Sequence, residues 1–303
     1  MASLRIYGLF LLAWMAGLPL RGASVSASDV FQQRLDEMVK ASGFTVGIAV
    51  KDLVSGREFL FSPDAMFPQG SSIRVHLVTE LFRQAAAGKL SVHEVRPLPE
   101  SARTGGFGVL RHLDQNTVAM SLRDYAALMI MVNDNTAANL LTDVLRMENV
   151  NASLAAQGTP EIKFQRRTIS RREAPSDTPE NEGTPRAVMR ALELIYQGKV
   201  VDRATSEAIL DVLALPQTGF FLRELPPTVR FAGESGSSPT MRCEVGIVLL
   251  PGHPYIFCVM LTRTSERVDA GRERGITDSF LERVSRLALE YFSGQEAASR
   301  PRK

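Results

Sequence analysis

A serine and an arginine three residues apart are the first place where this sequence can do chemistry. Ser71 follows a Pro/Gly segment, and Ile73, Leu77 and Leu81 then recur at helical spacing, with Arg74 between them. A serine at the start of a helix can be an N-cap. It can also be a nucleophile, activated by a base near the positive helix end. This segment alone favours the cap, so the choice depends on the rest of the chain.

The length of 303 residues suits one large domain or two closely packed lobes. The formal charge is +2, and it falls to zero without residues 1–27, which contain Arg5 and Arg21 and no acidic residue. The sequence has no basic tail, no zinc-ligand spacing and no phosphate-binding glycine loop. We therefore predict no metal, no cofactor and no nucleic-acid partner.

The N-terminus has the pattern of a secretory signal peptide. A positively charged start is followed by an apolar run over residues 6–20 and by small residues at Val25, Ser26 and Ala27. The run is short for a membrane span. We predict cleavage after Ala27, a mature domain over residues 28–303, and a secreted or periplasmic protein without a membrane span. A retained N-terminal anchor is the alternative.

The periodicity of the mature chain predicts an α+β fold. Strands are predicted at residues 45–50, 59–61, 229–232, 244–250 and 255–261, with terminal helices at 30–39 and 277–292. The middle of the chain shows helices at 122–132, 136–145 and 185–196, and no convincing strand. We expect a five-stranded antiparallel sheet covered by the terminal helices, with a helical insertion. The predicted lobes are α/β (28–68 and 205–303) and all-α (69–204), and sites tend to form between lobes.

Cys243 and Cys258 are the only cysteines, and they flank a turn predicted at residues 251–254. In an oxidising compartment they can form a cross-strand disulfide. They can equally be two buried thiols on opposite faces of the sheet. Strand register decides between these, and the sequence does not specify it, so both stay open.

The order of the motifs resembles that of class A serine β-lactamases and their penicillin-binding relatives. Besides the Ser71 segment, the resemblance includes residues 47–50, 108–113 and 121–124, and the run Asn-Asp-Asn-Thr-Ala-Ala-Asn-Leu-Leu at 133–141. It covers nearly the whole mature chain. It implies a monomer that binds a small β-lactam or peptidoglycan-like molecule. In that family a serine forms an acyl-enzyme, which a Glu-activated water hydrolyses.

The resemblance makes Ser71 the nucleophile. The family K-T-G motif corresponds here to Glu234-Ser235-Gly236. The resemblance implies that these three residues bind substrate. The backbone N–H groups of Ser71 and Ser237 then form the oxyanion hole. Whole-chain context thus turns a helix cap into the expected nucleophile.

Three replacements separate this chain from the family pattern. Arg74 stands in place of the motif lysine; an arginine keeps its charge and is a poor base. Asn133 replaces the serine that relays a proton, and an amide does not relay one easily. Glu234 reverses the charge of the second lysine. We hypothesise a salt bridge from Arg74 to Glu234 or Glu173 beneath Ser71.

Glu173 matches the family glutamate that activates water, and it is the general-base candidate. The alternative is an ion pair with Arg171 or Arg172. Asp177 stands where the family has an asparagine that holds the water. The loop that contains Glu173 is several residues shorter than in the family. The resemblance therefore does not fix the position of Glu173 relative to Ser71.

Other positions of the resemblance have weaker expected roles. Asn135 is expected to bind a substrate amide, and Asp134 to brace the fold. Arg242 matches an arginine used for a substrate carboxylate; a solvated strand arginine is its alternative. Ser72 is a helix-interior neighbour of the nucleophile. The histidines show no catalytic arrangement with a serine and are expected to be structural or at the surface: His76, His93, His112 and His253.

These residues allow three functions. The first is a β-lactamase-type hydrolase with Ser71 and Glu173, of weak or altered activity, because each lost group costs about two to four powers of ten in rate. The second is a catalytically degenerate binding protein for a peptidoglycan-like ligand or another partner. The third is an esterase or amidase on a substrate without a carboxylate, since Glu234 favours positive charge.

Overall fold

The computed structural model describes residues 26–114, 116–168, 179–217, 221–263 and 270–299. The signal peptide predicted over residues 1–27 lies outside these residues except for its last two. Glu173 and Asp177, in the segment 169–178, also lie outside them.

Eight helices and nine strands occur in the described part of the chain. The first half contains α1 (Ala27–Lys40), β1 (Phe44–Asp52), β2 (Glu58–Phe61), β3 (Phe67–Pro68), α2 (Arg74–Ala86), β4 (Val95–Pro97), β5 (Ala119–Ser121), α3 (Leu122–Met131), α4 (Asn135–Leu145) and α5 (Met147–Ala156). The second half contains β6 (Glu182–Gly183), α6 (Pro185–Tyr196), α7 (Arg203–Leu213), β7 (Arg230–Ser238), β8 (Met241–Leu249), β9 (Tyr255–Arg263) and α8 (Ala270–Ser299).

A five-stranded antiparallel sheet with the order β2-β1-β9-β8-β7 forms the centre of the fold. The predicted α+β class and the five predicted strands are confirmed. Strand β7 is longer than predicted, because it continues to Ser238 through Gly233 and Gly236. A Cβ atom on Gly233 would lie 2.3 Å from the carbonyl oxygen of Val245, so glycine permits close pairing there.

The terminal helices α1 and α8 cover one face of the sheet, as predicted. Ser26 and Asp29 form a capping box that begins α1. The apolar stripe of α1, including Phe31 and Leu35, packs with Val259 and Phe292 in one buried cluster. This cluster closes the side of the sheet away from the helical insertion.

The other face of the sheet shares a core with the helices of the insertion. This core joins Leu81 of α2 and Leu192 of α6 to Val245 and Ile247 of β8. Helices α5 and α7 were not predicted from the sequence. Helix α7 crosses the lobe boundary predicted at residue 204, because it packs on α2 and α6. The short strand pairs β3–β6 and β4–β5 were also not predicted, because strands of two or three residues show no alternation of apolar and polar residues.

Cys243 and Cys258 are free buried thiols, so the disulfide alternative is wrong. Of the alternative prediction, two buried thiols on opposite faces of the sheet, the buried thiols are confirmed and the opposite faces are wrong. Cys258 lies opposite Val245 in the register, and Cys243 is two residues away, which puts both thiols on the same face. Burial raises the pKa of Cys243 to about 12 and that of Cys258 well above its ordinary value.

In the part of the chain described here, no helix is both long and apolar enough to cross a membrane.

Candidate active site

Ser71 lies inside a short 3-10 turn, Gly70–Ile73, that leads directly into α2. The N-cap position of this turn is Gln69, which makes no side-chain capping bond. The Ser71 hydroxyl instead donates a hydrogen bond to Oδ1 of Asn133, at 3.0 Å. The N-cap interpretation of Ser71 is therefore wrong, and its half-buried hydroxyl faces the segment between α3 and α4.

The Ser71 turn packs tightly on β7. A Cβ atom on Gly236 would lie 2.1 Å from the backbone oxygen of Gln69, and one on Gly70 would lie 3.3 Å from the nitrogen of Ser237. Gly70 also has φ +51, which favours glycine. The first N–H groups of a helical segment lack intrahelical partners. The turn therefore packs Gly70, the residue before Ser71, against the backbone of Ser237. The oxyanion hole formed by Ser71 and Ser237 stays a prediction.

Arg74 begins α2 and is buried, with 1% of its surface exposed. Its Nη1 donates to Oδ1 of Asn133, and to the carbonyl oxygen of Met129 at 3.4 Å. Its Nη2 donates to Oδ1 of Asn135. Burial lowers the pKa of the guanidinium, while the negative charges of Glu234 and Asp134 oppose that shift.

The expected salt bridge between Arg74 and Glu234 does not form. Among the described residues Arg74 makes no ion pair, because its two terminal nitrogens are turned toward the asparagines. Glu234 affects the pKa of Arg74 electrostatically, without a hydrogen bond between the two side chains. The other half of the hypothesis, a bridge to Glu173, lies outside the described residues.

Asn133 and Asp134 shape the segment that enters α4. Asn133 has φ +54, in the left-handed region that asparagine tolerates better than most residues. Asp134 is the N-cap of α4: Oδ1 accepts from the N–H of Ala137 at 2.9 Å, and Oδ2 from Val109 at 2.6 Å and Leu110 at 2.9 Å. The prediction that Asp134 braces the fold is confirmed.

Asn135 uses both ends of its side-chain amide within the protein. Oδ1 accepts from Arg74, and Nδ2 donates to the carbonyl oxygen of Gly105 at 2.9 Å. Its backbone N–H donates to the carbonyl oxygen of Phe107 at 3.1 Å. The expected contact of Asn135 with a substrate amide stays a prediction.

The loop of residues 104–110 positions both Asn135 and Asp134, and sequence reasoning missed this role. A Cβ atom on Gly106 would lie 2.5 Å from Nδ2 of Asn135, and one on Gly108 would lie 2.3 Å from the Asp134 carboxylate. Both glycines have positive φ. The sequence signal was the closely spaced glycines of this loop.

Glu234 is buried on β7, with 2% of its surface exposed. Burial raises its pKa well above the ordinary value; the positive charge of Arg74 opposes this shift and the negative charge of Glu244 adds to it. Oε2 of Glu234 and Nε of Arg74 have no hydrogen-bond partner among the described residues. Ser235, the next residue, pairs with Glu244 and belongs to the opposite face of the sheet.

Arg242 lies opposite Ser237 in the register of β7 and β8. Its Nε is 3.3 Å from a carboxylate oxygen of Asp278 on α8, and Nη1 donates to the carbonyl oxygens of Ser238 (2.6 Å) and Met241 (2.9 Å). Only 6% of Arg242 is exposed, so the solvated alternative is wrong. Its expected role toward a substrate carboxylate stays a prediction.

The hydroxyl of Ser72 is structural. It donates to the carbonyl oxygen of Gln69 at 2.9 Å and accepts from the thiol of Cys243 at 3.1 Å. His76, two residues after Arg74, is buried, and burial lowers its pKa to about 4. Among the described residues, neither side chain forms a hydrogen bond with the Ser71 hydroxyl.

Residues 30–292 match the model of the β-lactamase enzyme family, Beta-lactamase2. The chain belongs to this family. The predicted family relationship is confirmed.

Known proteins are similar to this chain in sequence and in fold. β-Lactamase CTX-M-97 of Escherichia coli is 23% identical over 275 residues, covering 88% of this chain and 94% of the relative. The β-lactamase structure from Sphaerobacter thermophilus has a TM-score of 0.77 at 24% identity, covering 86% of this chain and 96% of that one. A mutant of PBP-A in its acyl-enzyme complex with penicillin G gives 0.76 at 21% identity, covering 88% and 97%. This family member thus has the class A β-lactamase fold.

Proposed function

We propose that this protein is a β-lactamase-type serine hydrolase of weak or altered activity, which opens a lactam amide through an acyl-enzyme on Ser71. One observation supports this most: the Ser71 hydroxyl lies in the turn before α2, 3.0 Å from Oδ1 of Asn133, and a Cβ atom on the preceding Gly70 would lie 3.3 Å from the nitrogen of Ser237. In the proposed reaction the N–H groups of Ser71 and Ser237 stabilise the oxyanion. Glu173 activates the water that hydrolyses the acyl-enzyme.

Loss of the Ser71 proton is the difficult step of this reaction. Ser71 and Arg74 both donate to Oδ1 of Asn133, and an amide oxygen is not a base. Arg74 keeps its charge and cannot take the proton. The proton therefore leaves through water to Glu173 in this proposal, and we expect acylation to be slow.

A second candidate is a binding protein in the same fold, whose cleft holds a peptidoglycan-like ligand without hydrolysis. The shared acceptor favours it, because among the described residues no titratable base is hydrogen-bonded to Ser71. Both candidates place the ligand at Ser71, and they differ in whether a covalent bond forms.

Incubation with a penicillin, a chromogenic cephalosporin and a fluorophosphonate separates the candidates. Intact mass reports an adduct, and absorbance reports turnover. Turnover that Ser71→Ala abolishes and Ser72→Ala retains supports the hydrolase. A stable Ser71 adduct without turnover indicates acylation that stops before hydrolysis. The absence of any adduct, with ligand still bound, supports the binding protein.

The proposed location is secreted or periplasmic. N-terminal sequencing of the exported protein tests cleavage after Ala27. Cleavage at that bond removes Ser26, which caps α1 in the uncleaved chain. We therefore expect the first turn of α1 to be less stable in the mature protein.

A further inference from the structure

The thiol of Cys243 connects β8 to the Ser71 turn. Its sulfur lies 3.0 Å from the carbonyl oxygen of Gln69 and 3.1 Å from the hydroxyl oxygen of Ser72. Gln69 is two residues before Ser71, and Ser72 is the residue after it. The thiol therefore contacts the turn on both sides of the proposed nucleophile.

The sulfur occupies a position that exists because Gly236 has no side chain. Gly236 lies directly opposite Cys243 in the register of β7 and β8. A Cβ atom on Gly236 would lie 2.5 Å from the Cys243 sulfur and 2.1 Å from the backbone oxygen of Gln69. Only 1% of Cys243 is exposed, so the sulfur fills a closed space where β7, β8 and the turn meet. The way the turn packs on the sheet thus depends on this one atom.

We infer that Cys243 is a positioning residue, whose sulfur holds the Ser71 turn in place against the sheet. The inference rests on the proposed function for its effect on acylation, but not for its effect on the turn. A thiol is a weak donor, so it contributes mainly a close-packed contact. Removal of the sulfur leaves a cavity toward which the turn can relax. A shift of about 1 Å at a reacting group can cost on the order of a hundredfold in rate.

Cys258 offers a matched comparison within the same core. It lies on the same face of the sheet, is fully buried, and its thiol has a hydrogen bond to the backbone of Gly246 rather than to the turn. Cys258→Ala therefore removes the same atom as Cys243→Ala from the same apolar layer. Thermal unfolding checks that both variants fold.

Saturation kinetics of fluorophosphonate labelling at Ser71 separate positioning from general packing. We expect Cys243→Ala to lower the maximal labelling rate about tenfold, while the half-saturating concentration changes less than about twofold. Cys258→Ala should leave both values unchanged. Cys243→Ser should recover most of the rate, because its hydroxyl can donate to the acceptors that the thiol contacts.

Amide hydrogen exchange, followed by NMR, tests the position of the turn without any reaction. The backbone N–H of Ser72 donates to the carbonyl oxygen of Gln69 at 3.1 Å. Its exchange should accelerate at least about tenfold in Cys243→Ala. In Cys258→Ala and Cys243→Ser it should stay within about twofold of the wild-type rate.

Equal acceleration of this exchange in the two alanine variants overturns the inference, because the effect would then belong to core packing in general. An unchanged exchange rate in Cys243→Ala overturns it as well. If Cys243→Ala does not fold, faster exchange in Cys243→Ser would overturn it instead. A wild-type protein that forms no adduct contradicts the proposed hydrolase, and the exchange rates still decide the role of Cys243.

Discussion

The hydroxyl of Ser71 donates its hydrogen bond to the side-chain oxygen of Asn133, at 3.0 Å, and Arg74 donates to that same oxygen. Ser71 and Arg74 lie three residues apart and therefore face the same side of the helical segment. The serine proton is thus directed at an amide that cannot accept it. This arrangement accounts for the expected slow acylation and for several measurable effects.

Arg74→Lys should accelerate acylation of Ser71. A buried amine can lose its proton and act as a base, whereas a guanidinium cannot. We expect the rate of fluorophosphonate labelling, followed by intact mass, to rise about 10- to 100-fold. Arg83→Lys, on the same helix but paired with Glu80, is the control and should leave the rate unchanged. An unchanged rate in Arg74→Lys would show that the arginine does not limit proton removal.

Asn133→Ala should destabilise the protein by about 2 to 4 kcal/mol. The substitution leaves a buried guanidinium donor without its acceptor and places alanine at φ +54. Urea unfolding measures the change in free energy. Asn133→Gly loses the same acceptor but tolerates the backbone, so it should be less destabilising by about 1 kcal/mol. Equal stability of the two variants would contradict the backbone contribution.

Gly236→Ala should displace the Ser71 turn. The added Cβ would lie 2.1 Å from the backbone oxygen of Gln69 and 2.5 Å from the Cys243 sulfur, so the turn and β7 must move apart. We expect loss of most Ser71 labelling and a destabilisation of about 1 to 3 kcal/mol. Gly275→Ala on α8 is the control, since its Cβ meets no atom within 4 Å. Unaltered labelling in Gly236→Ala would mean that this contact does not position Ser71.

His76 should make stability depend on pH. Its pKa falls from 6.5 in the unfolded chain to about 4 in the folded protein, because burial disfavours the charged form. The unfolded state therefore binds the proton first, and stability decreases as pH falls from 6.5 toward 4, by up to about 3 kcal/mol. Denaturant unfolding at several pH values measures this slope.

Two comparisons isolate the contribution of His76. His76→Gln should remove this slope, and the exposed control His93→Gln should retain it. Glu234 has the opposite effect, because its raised pKa decreases stability as pH rises above 4.5. The His76→Gln variant should therefore keep this second trend. A wild-type slope that survives in His76→Gln would assign it to another group.

Local patterns were sufficient for much of the fold. Apolar alternation predicted the five main strands, and helical periodicity predicted α6 at its observed bounds, Pro185–Tyr196. The short strands were missed because two or three residues are too few to show a period. The family relationship followed from motif order, which is also a property of the sequence.

The site was predicted as a set of residues but not as a set of contacts. Ser71, Arg74 and Asn133 do meet, as expected. Arg74 was expected to pair with a carboxylate and instead bonds to two asparagines, 59 and 61 residues further along the chain. The partner of Arg242 is Asp278, 36 residues away. Spacing along the sequence does not specify which acceptor a flexible arginine reaches.

The sequence by itself determined the α+β architecture with its five-stranded sheet, and the family. Only the tertiary structure decided that Ser71 is not a helix cap, that the two cysteines share a face, and that Asn133 accepts from both Ser71 and Arg74. The physical reason is the separation along the sequence between the residues that interact. Periodicity and motif order record neighbours within a few residues, whereas register and hydrogen-bond partners depend on how distant segments pack.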